Sequence, residues 1–426
     1  MTGENAINYI ENSGWSTTRL GLGRTFELLK ALGDPQESLK FVHVAGSNGK
    51  GSTCAFLESV LRKAGFKTGL YTTPFLTRFT EQIKVNNEEI PLDALGEVTE
   101  EVKACAEKME DHPSRFELLT AAAFLYFKRE NCDIVVLEVG MGGELDSTNV
   151  ISAPEVAVIT NIGLEHTEYL GNTLTEIAHT KGGIIKPGTT LVSYDGEKEV
   201  SDELSRICAE RGVKQVKTDF STIKLLESSM KGQKFSYRGK RHEISLLGAH
   251  QLKNAAVAIE AVGVLREKGY CIQDEALEAG LKETSWPARL ELLGEKPVFL
   301  LDGGHNPQCA TALSDSLEII LGSKKAVFII GVLADKDYES MISSVEKYAA
   351  EFICLEPFND RALSKEELKS FLIKRGNKAE TAETVDEAVD KATKKAGESG
   401  YVVAFGSLYI AGFIREAYLK SVLHNI

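Results

Sequence analysis

The stretch FVHVAGSNGKGSTCAFLESVL, from Phe41 to Leu61, constrains this chain more than any other. A β-rich apolar run ends in a glycine-dense loop, and a helix-forming segment starts at Ser52. This order turns loop N–H groups toward an anion at a helix N-terminus. The spacing is not that of the common phosphate loop, G-x-x-x-x-G-K-[ST]. Gly46 stands three residues before Gly49-Lys50, and Gly51 separates the lysine from Ser52. The chemistry still fits. Lys50 offers a point charge to β- and γ-phosphates, and the hydroxyl of Ser52 or Thr53 can reach Mg²⁺. Gly46, Ser47, Asn48, Gly49 and Gly51 supply the surrounding amides.

A second segment supports the first. In DIVVLEVG the apolar residues Ile134 to Leu137 end in Glu138, which places a carboxylate at the tip of a buried strand. Such a carboxylate holds Mg²⁺ or a metal-bound water opposite the loop hydroxyl. Together the two segments point to ATP. His166, in TNIGLEHTEYLG, follows another apolar strand, and Lys181 lies in AHTKGGIIKPG. Taken alone, each reads as a structural or surface residue. Asp302 and His305, in LLDGGHNPQCA, sit in a Gly, Asn and Pro-rich loop, which is a turn before it is a site.

Short apolar runs alternate with helical segments from Phe41 onward: FKTGLYTTP, CDIVVLEVGMGG, EVAVITNIG and TTLVSYDG. That alternation predicts an α/β fold, a mainly parallel sheet with helices on both faces. Residues 214–247 alternate polar and apolar and predict a small antiparallel insertion. Helices are expected around 250–268 and 274–283. The pattern breaks near TSWPARLELLGEKPV, and a second series follows: PVFLLDGG, AVFIIGVL, EFICLEPF and YVVAFGS. Its roughly 130 residues suffice for an independent, smaller Rossmann-like domain. The expected domains are therefore 1–290, of the P-loop type, and 291–426. Ligands usually sit near the carboxyl ends of such strands and between such domains.

Bulk properties exclude several classes. A net charge of −13 argues against nucleic acid or an anionic membrane as partner. No run of 18 apolar residues occurs, so no membrane span is expected, and MTGENAINYIENSG lacks the features of a signal peptide. Seven cysteines without a CxxC pair suit reduced thiols in a cytoplasm.

Taken together these segments resemble the folylpolyglutamate synthase/dihydrofolate synthase family, within the Mur-type amide ligase superfamily. GSNGKGS is similar to that family's G-T-N-G-K-G-S loop, so the odd spacing is the superfamily's own. YTTPFL, FELLTAAAF, LEVGMGGELDSTN, HTKGGIIKPG, GAHQLKNAAVA, ARLE, DGGHNP and GSLYIAG match further family segments in order. The resemblance implies an ATP-dependent ligase that joins L-glutamate to a folate or to dihydropteroate through an acyl phosphate. It implies Lys50 and the loop on the ATP phosphates, with Ser52, Thr73 and Glu138 around a first Mg²⁺ and Glu138 with His166 at a second. Lys181 falls on the family's carbamylated lysine, and Asn254 on an adenine contact. Arg289, Asp302 and His305 fall on second-domain residues that close over nucleotide and glutamate. Thr73, Pro74, Phe75, Phe116, Glu144, Asp146 and Ser407 lie in segments that face the substrates, and a monomer is expected.

The chain departs from the family pattern at four places. Glu144 stands where an arginine is usual, Phe75 for a histidine, Thr73 for a serine and Thr180 for a glutamate. Glu144 reverses a charge in the loop expected to face the acceptor, which leaves a ligase of a non-folate carboxylate as the alternative reading. A muramyl-peptide ligase would need a further domain ahead of the loop, and only 45 residues precede Gly46. A nucleotide-switch module would leave DGGHNP and the second domain unexplained, and the N-K-x-D signature of guanine binding is missing.

Overall fold

The computed structural model describes residues 1–13 and 19–423. Strands β1 (Phe41–Ala45), β2 (Thr68–Tyr71), β3 (Ile83–Val85), β4 (Glu88–Glu89), β5 (Ile134–Glu138), β6 (Val156–Ile159), β7 (Thr190–Ser193) and β8 (Lys214–Lys217) form one sheet. Their order is β4-β3-β2-β5-β1-β6-β7-β8. Every pairing from β2 to β8 is parallel, and β3 and β4 add an antiparallel edge. β1 and β5 are buried at every residue, as continuous apolar runs in a sheet covered on both faces must be.

The covering helices explain that burial. Helix Arg115–Arg129 starts from a reciprocal capping box of Ser114 and Glu117, and Glu117 also pairs with Arg24 at 3.1 Å. Its apolar face meets the sheet where Phe124 stands edge-on to Phe41, ring centres 5.5 Å apart. Truncating such a fully buried ring costs about 3–5 kcal/mol. Helix Lys50–Lys63 is buried from Ser52 to Leu61, so the glycine-dense loop feeds a helix seated in the core.

β9 (Lys224–Ser229), β10 (Gly232–Tyr237) and β11 (Lys240–Ile244) form the small antiparallel sheet. The insertion expected over 214–247 is thus only partly separate. β8 joins the large sheet, parallel to β7, and its mixed pattern is that of an edge strand half open to water. Helices run over Ala249–Glu267 and Asp274–Glu283.

The last sheet contains β12 (Glu291–Glu295), β13 (Val298–Leu301), β14 (Ala326–Ile330), β15 (Ala349–Cys354), β16 (Ala379–Thr381) and β17 (Tyr401–Phe405). Its order is β12-β13-β17-β14-β15-β16, parallel except for β12. β12 and β16 are the strands that the apolar runs did not announce, because both lie at sheet edges and carry polar residues. The chain divides into two compact units. One holds Met1–Lys224, Phe235–Glu243 and Lys253–Thr284, and the other Leu225–Lys234, Ile244–Leu252 and Ser285–Ile426. Among the described residues no helix is long and apolar enough to cross a membrane. None of the seven cysteines is paired.

Candidate active site

Strand order decides where the first unit does chemistry. β5, β1 and β6 are neighbours, and Val44 pairs with Glu138 while Ala45 pairs with Ile159. The three carboxyl ends therefore bring Glu138, Gly46 and Thr160 to one edge. Gly46 has φ +148°, and a Cβ there would lie 1.8 Å from Thr160 Oγ1. Gly49 has φ +88°, and a Cβ there would lie 2.5 Å from Asn254 Oδ1. Both positions exclude side chains. The loop is also pinned from β6: Ser47 N donates to Asn161 O at 2.7 Å, and Thr160 Oγ1 donates to Asn48 O at 2.9 Å. Ser47 Oγ donates to Gly163 O at 3.0 Å.

Two lysines reach this loop. Lys50 Nζ donates to Gly46 O at 2.9 Å and to Ser47 O at 3.3 Å. Lys181 closes helix Leu174–Lys181, is almost wholly buried, and donates to the same Gly46 O at 3.0 Å. Its ammonium pairs with Glu165 Oε1 at 2.9 Å. Burial pulls the Lys181 pKa down to about 8 against the opposing pull of Glu165, and Lys50 adds to the fall. Burial would raise the Glu165 carboxyl, but the Lys181 and Lys50 ammonium groups prevail and hold it at about 2. Glu165 escaped the sequence reading. The only signal was its place beside His166 in GLEHT, since the partner that gives it meaning comes from another helix.

Glu138 is buried and accepts from Thr73 N at 3.2 Å, which ties the strand tip to the Thr73–Phe75 turn. Ser52 and Thr53 are buried in the first turn of the helix. Asn254 is buried on helix Ala249–Glu267 and abuts Gly49. His166 is exposed and left-handed, at φ +46°, ahead of the short helix Thr167–Leu170. Ser52, Thr73 and Glu138 offer hydroxyl and carboxylate oxygen, the donor chemistry that Mg²⁺ takes alongside phosphate and water.

The Gly140–Asp146 loop follows β5. Asp146 is buried and accepts from Met141 N at 2.8 Å, Thr148 N at 3.0 Å and Thr148 Oγ1 at 2.5 Å. Burial pushes its carboxyl up, and these bonds, with one from the Gly140 amide, oppose the rise. Glu144 is exposed, and its N–H donates to Thr180 O at 2.9 Å. The two charge departures noted above are thus backbone neighbours. Phe116 and Phe75 are half-buried beside the core, and Phe116 faces Tyr71 at 6.2 Å between ring centres. Pro74, directly before Phe75, is exposed.

In the second unit, Asp302 is buried at the end of β13 and its two oxygens accept from Leu290 N at 2.9 Å and Gly304 N at 2.8 Å. It thereby holds the turn that carries Arg289, between Ala288 at φ +55° and Leu290 at φ +47°. His305 Nδ1 lies 3.4 Å from Gly303 O, and Ser407 Oγ accepts from Tyr409 N at 3.1 Å at the start of helix Leu408–Leu423. A Cβ on Gly303 would meet Leu408 at 2.3 Å, so Arg289, Asp302, His305 and Ser407 belong to one cluster of loops.

Comparison with known proteins gives the same outline. Residues 44–262 match the Mur ligase middle domain, and residues 288–408 match the Mur ligase, glutamate ligase domain. The dihydrofolate synthase/folylpolyglutamate synthase of Bacillus subtilis (strain 168) is 36% identical over 411 residues, covering 93% of this chain and 94% of that protein. The protein of the same name from Escherichia coli (strain K12) is 30% identical over 418 residues, covering 96% and 94%. The solved structure of E. coli FolC in complex with DHPP and ADP superposes with a TM-score of 0.86 at 28% identity, covering 100% of this chain and 98% of that one. The Mycobacterium tuberculosis folylpolyglutamate synthase complexed with ADP and AMPPCP gives a TM-score of 0.88 at 29% identity, covering 98% and 99%.

Proposed function

Because this chain belongs to the dihydrofolate synthase/folylpolyglutamate synthase family of Mur-type ligases, we propose that its Gly46–Thr53 loop holds the phosphates of ATP for transfer to a folate-type carboxylate. The overall reaction is the ATP-dependent ligation of L-glutamate to that carboxylate. We take residues 1–290 as the ATP-binding domain and 291–426 as the glutamate-ligase domain. The observation that carries the reading is the cluster of Lys50, Lys181 and Glu165 around Gly46 at the tips of three parallel strands.

A carboxylate resists amines because its leaving group would be oxide. In the first step an acceptor carboxylate oxygen bonds to the γ-phosphorus, the bond to the β,γ-bridging oxygen breaks, and ADP leaves. Lys50 would release its loop carbonyls and follow the transferring charge. Ser52, Thr73 and Glu138 would hold Mg²⁺, with Glu138 and His166 serving a second ion. When bound, Mg²⁺ supplies neutralising charge to the phosphoryl oxygens. In the second step the amine of L-glutamate attacks the acyl carbon, phosphate departs, and the amine proton is lost to solvent. We assign Arg289 and His305 to the anionic substrates, with Asp302 fixing the Arg289 turn. Ser407 is assigned to the same cluster, and Asn254 to the adenine. Unpaired cysteines support a cytoplasmic location.

Thr73, Pro74, Phe75, Phe116, Glu144 and Asp146 are assigned to the acceptor side. Glu144→Arg should lower the KM for folate acceptors, which are anions, by about three- to tenfold and leave the KM for ATP unchanged. If neither constant moves, Glu144 is a solvated loop position. The assignment as a whole is tested by ADP release. Glutamate and a folate or dihydropteroate acceptor should both be required, and ADP release indifferent to either substrate would refute it.

A further inference from the structure

His43 lies in the middle of β1, wholly buried in what reads as an apolar run. Its Nε2 is 2.9 Å from Thr148 Oγ1, and its Nδ1 finds no hydrogen-bond partner. Thr148 Oγ1 in turn donates to Asp146 Oδ1, whose other oxygen accepts from Met141 N. A hydroxyl has one proton. Spent on Asp146, it leaves Thr148 Oγ1 able only to accept from the histidine, so the imidazole proton belongs on Nε2. A proton on Nδ1 would be a buried donor with no acceptor, which native cores avoid. Two independent observations therefore choose the same tautomer. Burial, and then the nearby Lys186 ammonium, hold the ring neutral.

We propose that His43 is a positioning residue for the acceptor loop: as the neutral Nε2–H tautomer it donates to Thr148, which turns the Thr148 proton onto Asp146 and so fixes the carboxylate that shapes Gly140–Glu144. The chain runs from the centre of the sheet to the loop in three hydrogen bonds, all within the first unit. A buried histidine is a poor choice for a strand interior on packing grounds alone, because leucine or phenylalanine would fill the space without a polar atom to satisfy. Its presence is explained by what Thr148 needs. A donor at this position is required, and a charge is not. The consequence for substrates rests on the assignment of the loop to the acceptor.

Four variants and one spectrum test this. His43→Leu should raise the KM for the folate acceptor about tenfold, the effect of one lost buried hydrogen bond, with the KM for ATP within about twofold. His43→Gln, whose amide can donate to Thr148, should recover most of that loss. Thr148→Val should match His43→Leu, and the double variant should be no worse than either single one, since both break one chain. Nitrogen chemical shifts of labelled His43 in the intact wild-type enzyme should report the neutral Nε2–H tautomer. An Nδ1–H tautomer, a glutamine variant as impaired as leucine, additive losses in the double variant, or equal rises in both KM values would each overturn the proposal. Wild-type enzyme assayed in parallel reports on the ligase assignment itself. If it makes no acceptor-dependent ADP, that reading fails, and the tautomer spectrum still decides the relay.

Discussion

Lys50→Ala and Glu138→Ala should each reduce glutamate-dependent ADP formation by about 10²–10³-fold, the range seen when one group stabilising transition-state charge is removed. Neither side chain is part of the apolar core. Lys50 spends its bonds on the carbonyls of Gly46 and Ser47, and Glu138 accepts from the Thr73 amide at the strand tip. Thermal unfolding should accordingly stay close to wild type for Lys50→Ala. Glu138 is buried, so Glu138→Gln, which keeps the acceptor oxygen for Thr73 N, separates loss of charge from loss of structure. Turnover within a few-fold of wild type in Lys50→Ala, or in both Glu138 variants, would remove these residues from the phosphate and metal roles assigned to them.

The second large effect is expected at Lys181. With its pKa brought to about 8, a substantial fraction of the amine is neutral in mildly alkaline solution and able to take up CO₂. The ammonium first loses one proton; the amine nitrogen then bonds to the carbon of CO₂ and a second proton is released, so that the cation becomes an anion. The ion pair with Glu165 stabilises the ammonium form, so carbamate formation must break it, whereas the carbamate nitrogen keeps one N–H for Gly46 O. Uptake of ¹³C-bicarbonate, read by NMR, should therefore rise as pH increases through about 8 and should be absent from Lys181→Arg. Both Lys181→Ala and Lys181→Arg should be inactive. Acetate or formate should restore part of the rate to the alanine variant alone, by placing a carboxylate in the vacated space. An arginine variant as active as wild type would show that the side chain acts as a plain cation, and the carbamate would be refuted.

Much of this molecule is readable in its residues, and the unreadable parts share a cause. β1, β5, β6 and the core strands of the second sheet are continuous apolar runs because both their faces are covered, and local pattern reveals them. β8, β12 and β16 lie at edges, where one side meets water and the apolar signal fades. The same division holds in the site. The phosphate loop is contiguous, so its glycines, Lys50 and Ser52 announce themselves. Glu165 acquires its meaning from Lys181, sixteen residues later and on another element. His43 looks like core because its neighbours are core, and its partner is 105 residues away. Asp302 sits in a loop suited to ligand contact, yet both its oxygens serve backbone amides of its own unit. Contacts that depend on how distant segments meet carry no periodicity.

The most direct test of the central claim follows oxygen. With both oxygens of the acceptor carboxylate labelled with ¹⁸O, transfer through an acyl phosphate must send one labelled oxygen into inorganic phosphate and keep the other in the new amide carbonyl. The account predicts labelled phosphate formed in step with ADP, only when ATP, L-glutamate and the folate acceptor are present together. Unlabelled phosphate, or label recovered in AMP, would contradict it.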